Sequence, residues 1–319
     1  FFQTMYNIVD TFFAGKISPE ALSALAKSFP IYFIIIATGV GLGVAATALM
    51  ANSIGEGNKN QASYYLAQAI SFSIFIALIV TITGIIVSVP LLELMGSNEE
   101  NINLTLDYLN IIFLGSVIVF IQFAVNSSLT AQGDTKSYRN VLIVSFFLNI
   151  ILNPIFIFGY GIIPAMGISG IALSTILTQL LGTIYLFYKV YKTELKKFLY
   201  FKCFFPKSIL LFNLFKQGFP VTIGMITISI GVFIILYFVG TFGEYAVAGY
   251  GTAIRFEQIL LLPILGLNTA VLSIAGQNFG AKKYNRVKET YYKAILFGSG
   301  FMTFGGIIIL LSSNYIVGF

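Results

Sequence analysis

With 57% hydrophobic and only 9% charged residues, the 319-residue chain cannot cover a soluble surface, for which about 25% charged residues is usual. Its net charge of +6 comes from Lys and Arg confined to short segments beside apolar blocks, so a nearby surface of anionic lipid accounts for it more simply than nucleic acid does. Cys203 is the only cysteine and histidine is absent, which excludes an intrachain disulfide and leaves carboxylates to carry any proton chemistry.

The apolar blocks are long enough to cross ~30 Å of hydrocarbon, which takes about 20 helical residues. In chain order they predict nine membrane helices: Phe1 to Ala14, Pro30 to Ile54, Tyr64 to Val89, Leu104 to Leu129, Tyr138 to Tyr160, Ile168 to Tyr191, Ile209 to Gly240, Ala246 to Gly276 and Tyr291 to Ser312. An outer-membrane barrel needs ~10-residue stretches of alternating apolar and polar residues, which are missing. The fold class is therefore an all-α polytopic membrane protein. The first block has neither an initiator Met nor a basic stretch before it, so it reads as a trimmed first helix and not as a signal peptide.

Helix 1 carries Asp10 more than one turn inside its apolar stretch. An ionisable group at that depth costs about 2.5 to 3.5 kcal/mol, so it is either a cation ligand trading a proton or Na+, or a structural carboxylate bonded to hydroxyls and amides. Helix 5 reads Asn149-Ile150-Ile151-Leu152-Asn153-Pro154. The i, i+4 spacing puts both amides on one face, and the proline frees the Ile150 carbonyl beside it. These hard oxygens suit a small cation such as Na+ at Asp10, Asn149 and Asn153, and equally suit interhelical hydrogen bonding. Helix 6 adds the hydroxyl of Thr175. Helix 8 holds Arg255 and Glu257, whose i, i+2 spacing turns them apart; each either lines a cavity or pairs with a distant helix. Pro30, Pro154, Pro220 and Pro263 interrupt spans, as is tolerated where helices bend or line a cavity.

The connections after helices 2, 4, 6 and 8 hold 15 Lys and Arg, and the opposite face holds only Lys16 and Lys27. By the positive-inside rule the basic face is cytoplasmic. The most basic connection, 192–208, divides residues 1–191, with six helices, from 209–319, with three. Shifting the chain by 225 residues brings Ala21 onto Ala246, Gly41-Leu42 onto Gly266-Leu267, Gly55 onto Gly280 and Asn60 onto Asn285. This superposes helix 2 on helix 8 in the same orientation, as in a transporter built from parallel six-helix repeats; three further helices are expected beyond the nine.

Asn7-Ile8-Val9-Asp10-Thr11, Gly133-Asp134-Thr135-Lys136, Leu148 to Phe156, Gly218-Phe219-Pro220 and Gly276-Gln277-Asn278-Phe279-Gly280-Ala281 occur in the order in which similar motifs occur in the multidrug and toxic compound extrusion (MATE) exporters, and the whole chain resembles that family. The resemblance implies two lobes of six helices around a central cavity. The first lobe would be residues 1–191 and the second would begin at 209. It implies antiport of organic cations or amphiphilic compounds against Na+ or H+, in the cell (inner) membrane, by a monomer with no other cofactor. It matches the family's first-lobe site to Asp10, Asn149 and Thr175. Many members carry an acid where this chain has Asn153, so Asp10 is the only carboxylate of the set. A lipid-linked saccharide flippase of the same superfamily is the alternative, but its anionic head group calls for several cavity Arg or Lys, and only Arg255 lies within a span. An intramembrane enzyme needs a base or paired deep acids, and the spans contain no such motif.

Overall fold

The computed structural model describes residues 2–95, 97–242 and 244–317. Among them the helices are α1 (Phe2–Ile17), α2 (Pro19–Gly55), α3 (Lys59–Leu94), α4 (Glu99–Ala131), α5 (Lys136–Phe158), α6 (Ile168–Tyr191), α7 (Ser208–Gly240), α8 (Glu244–Gly280) and α9 (Tyr284–Val317). Two 3-10 turns, Glu194–Phe198 and Phe201–Phe204, lie between α6 and α7. Among the described residues, seven of these helices are long and apolar enough to cross a membrane.

The helices outrun the apolar blocks that announce them. The gap expected between Ala14 and Pro30 shrinks to Ser18, and Pro30 lies inside α2. Ser18 has extended backbone, its Oγ accepts the Ala21 N–H at 3.1 Å, and Pro19 takes the first helical position, where a missing N–H is harmless. The side chains of Asn58 and Asn98 likewise accept the Gln61 and Asn101 N–H groups at the starts of α3 and α4. Arg286 and Lys288, expected in the connection before Tyr291, stand on the first turns of α9.

α4 is the centre of the first six helices. It packs on α2, α3 and α6 with Leu109, Ile112, Phe113 and Phe120 fully buried. Lipid tails are as apolar as leucine, so close packing and interhelical hydrogen bonds hold such a bundle, each bond contributing about 0.6 kcal/mol. Ser73 and Thr81 of α3 accordingly donate to the carbonyls of Phe120 and Phe113 on α4, at 3.1 and 2.7 Å. α2 then joins these helices to the rest, packing along α7 and α8.

The 225-residue periodicity recurs in the helix ends. α2 and α8 are both 37 residues long, and Pro19 and Glu244, Gly55 and Gly280, and Lys59 and Tyr284 are each 225 positions apart. Where α2 and α8 cross, the contact is reciprocal. A side chain on Gly55 would strike the Gln277 carbonyl, one on Gly280 would strike the Asn52 carbonyl, and Gly276 faces Ala51. Asn52 and Gln277 are themselves 225 apart, as are Ala51 and Gly276, so a pseudo-two-fold axis runs between the last two. Gln277 Nε2 also donates to the Ala131 carbonyl at the end of α4, at 2.6 Å.

Candidate functional site

Asp10 is 7% exposed, and Asn149, Asn153 and Thr175 are buried around it. Spacing of 4 on α5 stacks the two amides, and both Nδ2 atoms donate to Asp10 Oδ1 at 2.9 Å. Thr175 of α6 donates to Oδ2 at a longer 3.5 Å. The amides are also linked to each other, Asn153 Nδ2 donating to Asn149 Oδ1 at 3.2 Å. The structure thus brings together all four first-half residues singled out in the sequence, from three helices.

The cluster extends beyond these four residues. Ser174 Oγ accepts from Asn149 Nδ2 at 3.3 Å. The Tyr6 hydroxyl is 2.9 Å from Thr178 Oγ1, which donates to the Thr175 carbonyl at 2.9 Å. Tyr6 stands four residues before Asp10, and Thr178 three after Thr175, so helical periodicity was the available signal. Asn153 Oδ1 is buried without a hydrogen-bond partner. Such an orphan costs roughly 1–3 kcal/mol. It is a free hard oxygen beside a carboxylate. Pro154, next to it inside α5, leaves the Ile150 carbonyl without its helical donor.

Tyr6 and Thr178 also line a cavity of about 580 Å3 with Phe29, Tyr32, Phe123 and Tyr138. α8 contributes Leu265, Gly266 and Thr269 to its wall. None of the described lining residues is charged. Glu257 is exposed and stands apart from this lining, and the Arg255 side chain lies outside the described residues. No group of three or more acids, cysteines or histidines is assembled among the described residues, so a metal would depend on Asp10 and neutral oxygens.

Outside the spans, Asp134 lies between α4 and α5. It accepts from Ser137 N at 3.0 Å and from Ser137 Oγ at 2.6 Å at the start of α5. Burial pushes its carboxyl up, but the Ser137 and Lys136 hydrogen bonds and the charge of Lys189 outweigh this and hold it below the usual carboxylate value. Lys59 does the same for Glu194 through a direct hydrogen bond.

A polytopic helical bundle with one buried carboxylate among amides, beside an uncharged aromatic cavity, is the architecture of a membrane transporter. The MatE family model matches residues 1–155 and 220–319, and the chain belongs to that family, whose members are transporters and not enzymes. It is 28% identical over 314 residues to the probable multidrug resistance protein YoeA of Bacillus subtilis, covering 97% of this chain and 67% of that one. It is 27% identical over 301 residues to a FAD transporter of Shewanella oneidensis, covering 93% and 66%. Among solved structures, MATE in the bent conformation aligns with a TM-score of 0.89 at 26% identity, over 99% of this chain and 70% of that one. A MOP superfamily transporter from Pyrococcus furiosus, described as having a binding pocket of reverse polarity, gives 0.87 at 26% identity, over 99% and 69%. The chain spans about two thirds of the length of these curated relatives.

Proposed function

We propose that the chain forms a first lobe, residues 1–191, a basic linker, 192–208, and the opening helices of a second lobe, 209–319, of a cation-coupled exporter. The observation that carries this reading is Asp10, a buried carboxylate held by three neutral donors from two other helices, with an orphan amide oxygen alongside. The three donors offset the cost of burying the carboxylate without cancelling its charge, and the orphan oxygen beside it offers a further ligand to a cation. Asp10, Asn149 and Asn153 are the Na+ ligands in this reading, and Asp10 the proton carrier if H+ is the coupling ion. Arg255 and Glu257 remain candidates for a second-lobe role.

The aromatic cavity takes an organic cation or amphiphile, whose apolar body packs on the rings while its charge meets their faces. The Tyr6–Thr178 hydrogen bond links cluster and cavity, so that loading Asp10 reorganises a cavity wall. With the basic face cytoplasmic, the reciprocal α2–α8 contact closes the cytoplasmic end, and the cavity belongs to the outward side of an alternating-access cycle. The protein works as a monomer in the cell membrane. The likeness to a FAD transporter raises an anionic substrate, as does the flippase alternative, but no described lining residue offers the Lys or Arg that a phosphate needs.

The test is efflux of a fluorescent organic cation from proteoliposomes holding the full-length protein, with Na+ and H+ gradients imposed separately. Dye leaves under one of the two gradients. Movement under neither, or efflux of FAD in place of the dye, overturns the reading.

A further inference from the structure

The segment between α6 and α7 is rich in Lys and aromatic residues, and its backbone is fastened to α3. Gln68, fully buried on α3, donates to the carbonyls of Cys203 and Phe205 at 2.6 and 2.8 Å and accepts the Lys207 N–H at 2.8 Å. Ser63 donates to the Leu195 carbonyl at 2.9 Å, and Ser71 to that of Phe204 at 2.7 Å. Leu195 and Cys203 are buried beneath the segment, and Lys59 forms an ion pair with Glu194, the only acid between Lys189 and Lys207.

With its inward face satisfied, the segment turns a uniform chemistry outward. Lys192, Lys196, Lys197, Lys202 and Lys207 are exposed. Lys192 lies over the Tyr188 ring at 4.3 Å, Lys196 over Tyr191 at 3.3 Å and Lys207 over Tyr64 at 3.9 Å. Between them Phe201, 80% exposed, meets Phe205 edge-on at 5.6 Å. Exposed rings among lysines, at the level where two spanning helices end, match the boundary of head groups and acyl chains, where aromatic residues settle and anionic lipid attracts Lys.

We propose that residues 192–207 form a preorganised pad that binds the head groups of anionic phospholipids in the membrane leaflet. The lysines meet the phosphates, and Phe201 and Phe205 enter the acyl boundary. Fastening to α3 fixes the spacing of the lysines before lipid arrives, which lowers the ordering cost of binding. An acidic segment of another protein would match the charge but would leave the apolar rings unmatched. The pad depends on the membrane reading of the chain and not on the transport cycle.

The test is native mass spectrometry of the full-length protein in detergent, with phosphatidylglycerol and phosphatidylcholine of equal chain length offered together. The native protein retains phosphatidylglycerol preferentially. Replacing Lys192, Lys196, Lys197 and Lys202 by Gln cuts that preference by at least roughly tenfold, since each lysine near the surface contributes to attraction. Replacing Lys282, Lys283, Arg286 and Lys288 by Gln removes equal charge from residues that lack the spacing fixed by α3, and leaves the preference within about twofold. Asp10→Asn also leaves it unchanged, so failure here is separable from failure of the exporter reading. Equal loss in both lysine variants, displacement of the lipid by inorganic phosphate, or preferential capture of polyglutamate overturns the proposal.

Discussion

α2 with α3 and α8 with α9 start from the same register, 225 residues apart, and α2 and α8 meet through a reciprocal contact of small residues. The preceding helices, α1 and α7, differ sharply in chemistry. At the position 225 residues after Asp10 stands Ile235, apolar and about half exposed, with no carboxylate anywhere from Pro220 to Val232. Packing is thus duplicated while the carboxylate of α1 has no counterpart at the equivalent position of α7. A buried carboxylate costs several kcal/mol wherever it sits in hydrocarbon, and only α1 is met by two amides and a hydroxyl that offset this cost.

The largest effect should come from Asp10→Asn. The new carboxamide keeps an oxygen toward Asn149 and Asn153 and turns its NH2 toward the Thr175 hydroxyl, so the fold survives while the charge is lost. Coupled efflux in proteoliposomes should fall to background, with thermal unfolding little changed; transport at the native rate would move coupling to Glu257 or elsewhere. Asn153→Asp should retain transport with an altered pH profile, because two adjacent carboxylates titrate as a coupled pair.

The duplicated crossing can be broken from either side. Gly280→Val would press on the Asn52 carbonyl, and Gly55→Val on that of Gln277. Both should push α2 and α8 apart, slowing transport by roughly tenfold or more as the closed state is lost, with a lengthened distance between spin labels on the two helices. Gly300→Ala on α9, with open space around it, should be neutral in both measurements. Unequal effects of the two valines would count against a shared symmetry at this contact.

Gln68→Leu should lower stability by about 2–4 kcal/mol, since it leaves three backbone groups of the pad without partners. It should expose the linker to proteolysis in detergent while the Asp10 cluster keeps its hydrogen-exchange protection. Loss of protection at both places would mean that the linker and the bundle unfold as one unit.

The smallest effect concerns Asp134. Its pKa is depressed in the folded chain, so its stabilisation is present above the ordinary carboxylate value and is lost as pH falls through the folded one. Asp134→Asn should loosen the first turn of α5 by a few-fold in hydrogen exchange near neutral pH. That difference should vanish in acid, where the native carboxyl is protonated; a difference independent of pH would assign the cap to shape and not to charge.

Composition and block length alone determine that this chain is a helical membrane protein, because about 20 consecutive apolar residues have no other stable use. The depth of Asp10, the four-residue spacing of Asn149 and Asn153, and the 225-residue repeat are also legible, since each is a one-dimensional pattern. Helix ends are not set by hydropathy, because polar turns extend helices beyond the hydrocarbon and side-chain caps such as Ser18 stop them. Nor does any local pattern reveal that Gln68 holds a linker more than 130 residues away, or that Tyr6 reaches Thr178. A buried amide or hydroxyl must find a partner wherever the folded chain brings one within about 3 Å, and only the packing of α1, α3, α5 and α6 decides which partner that is.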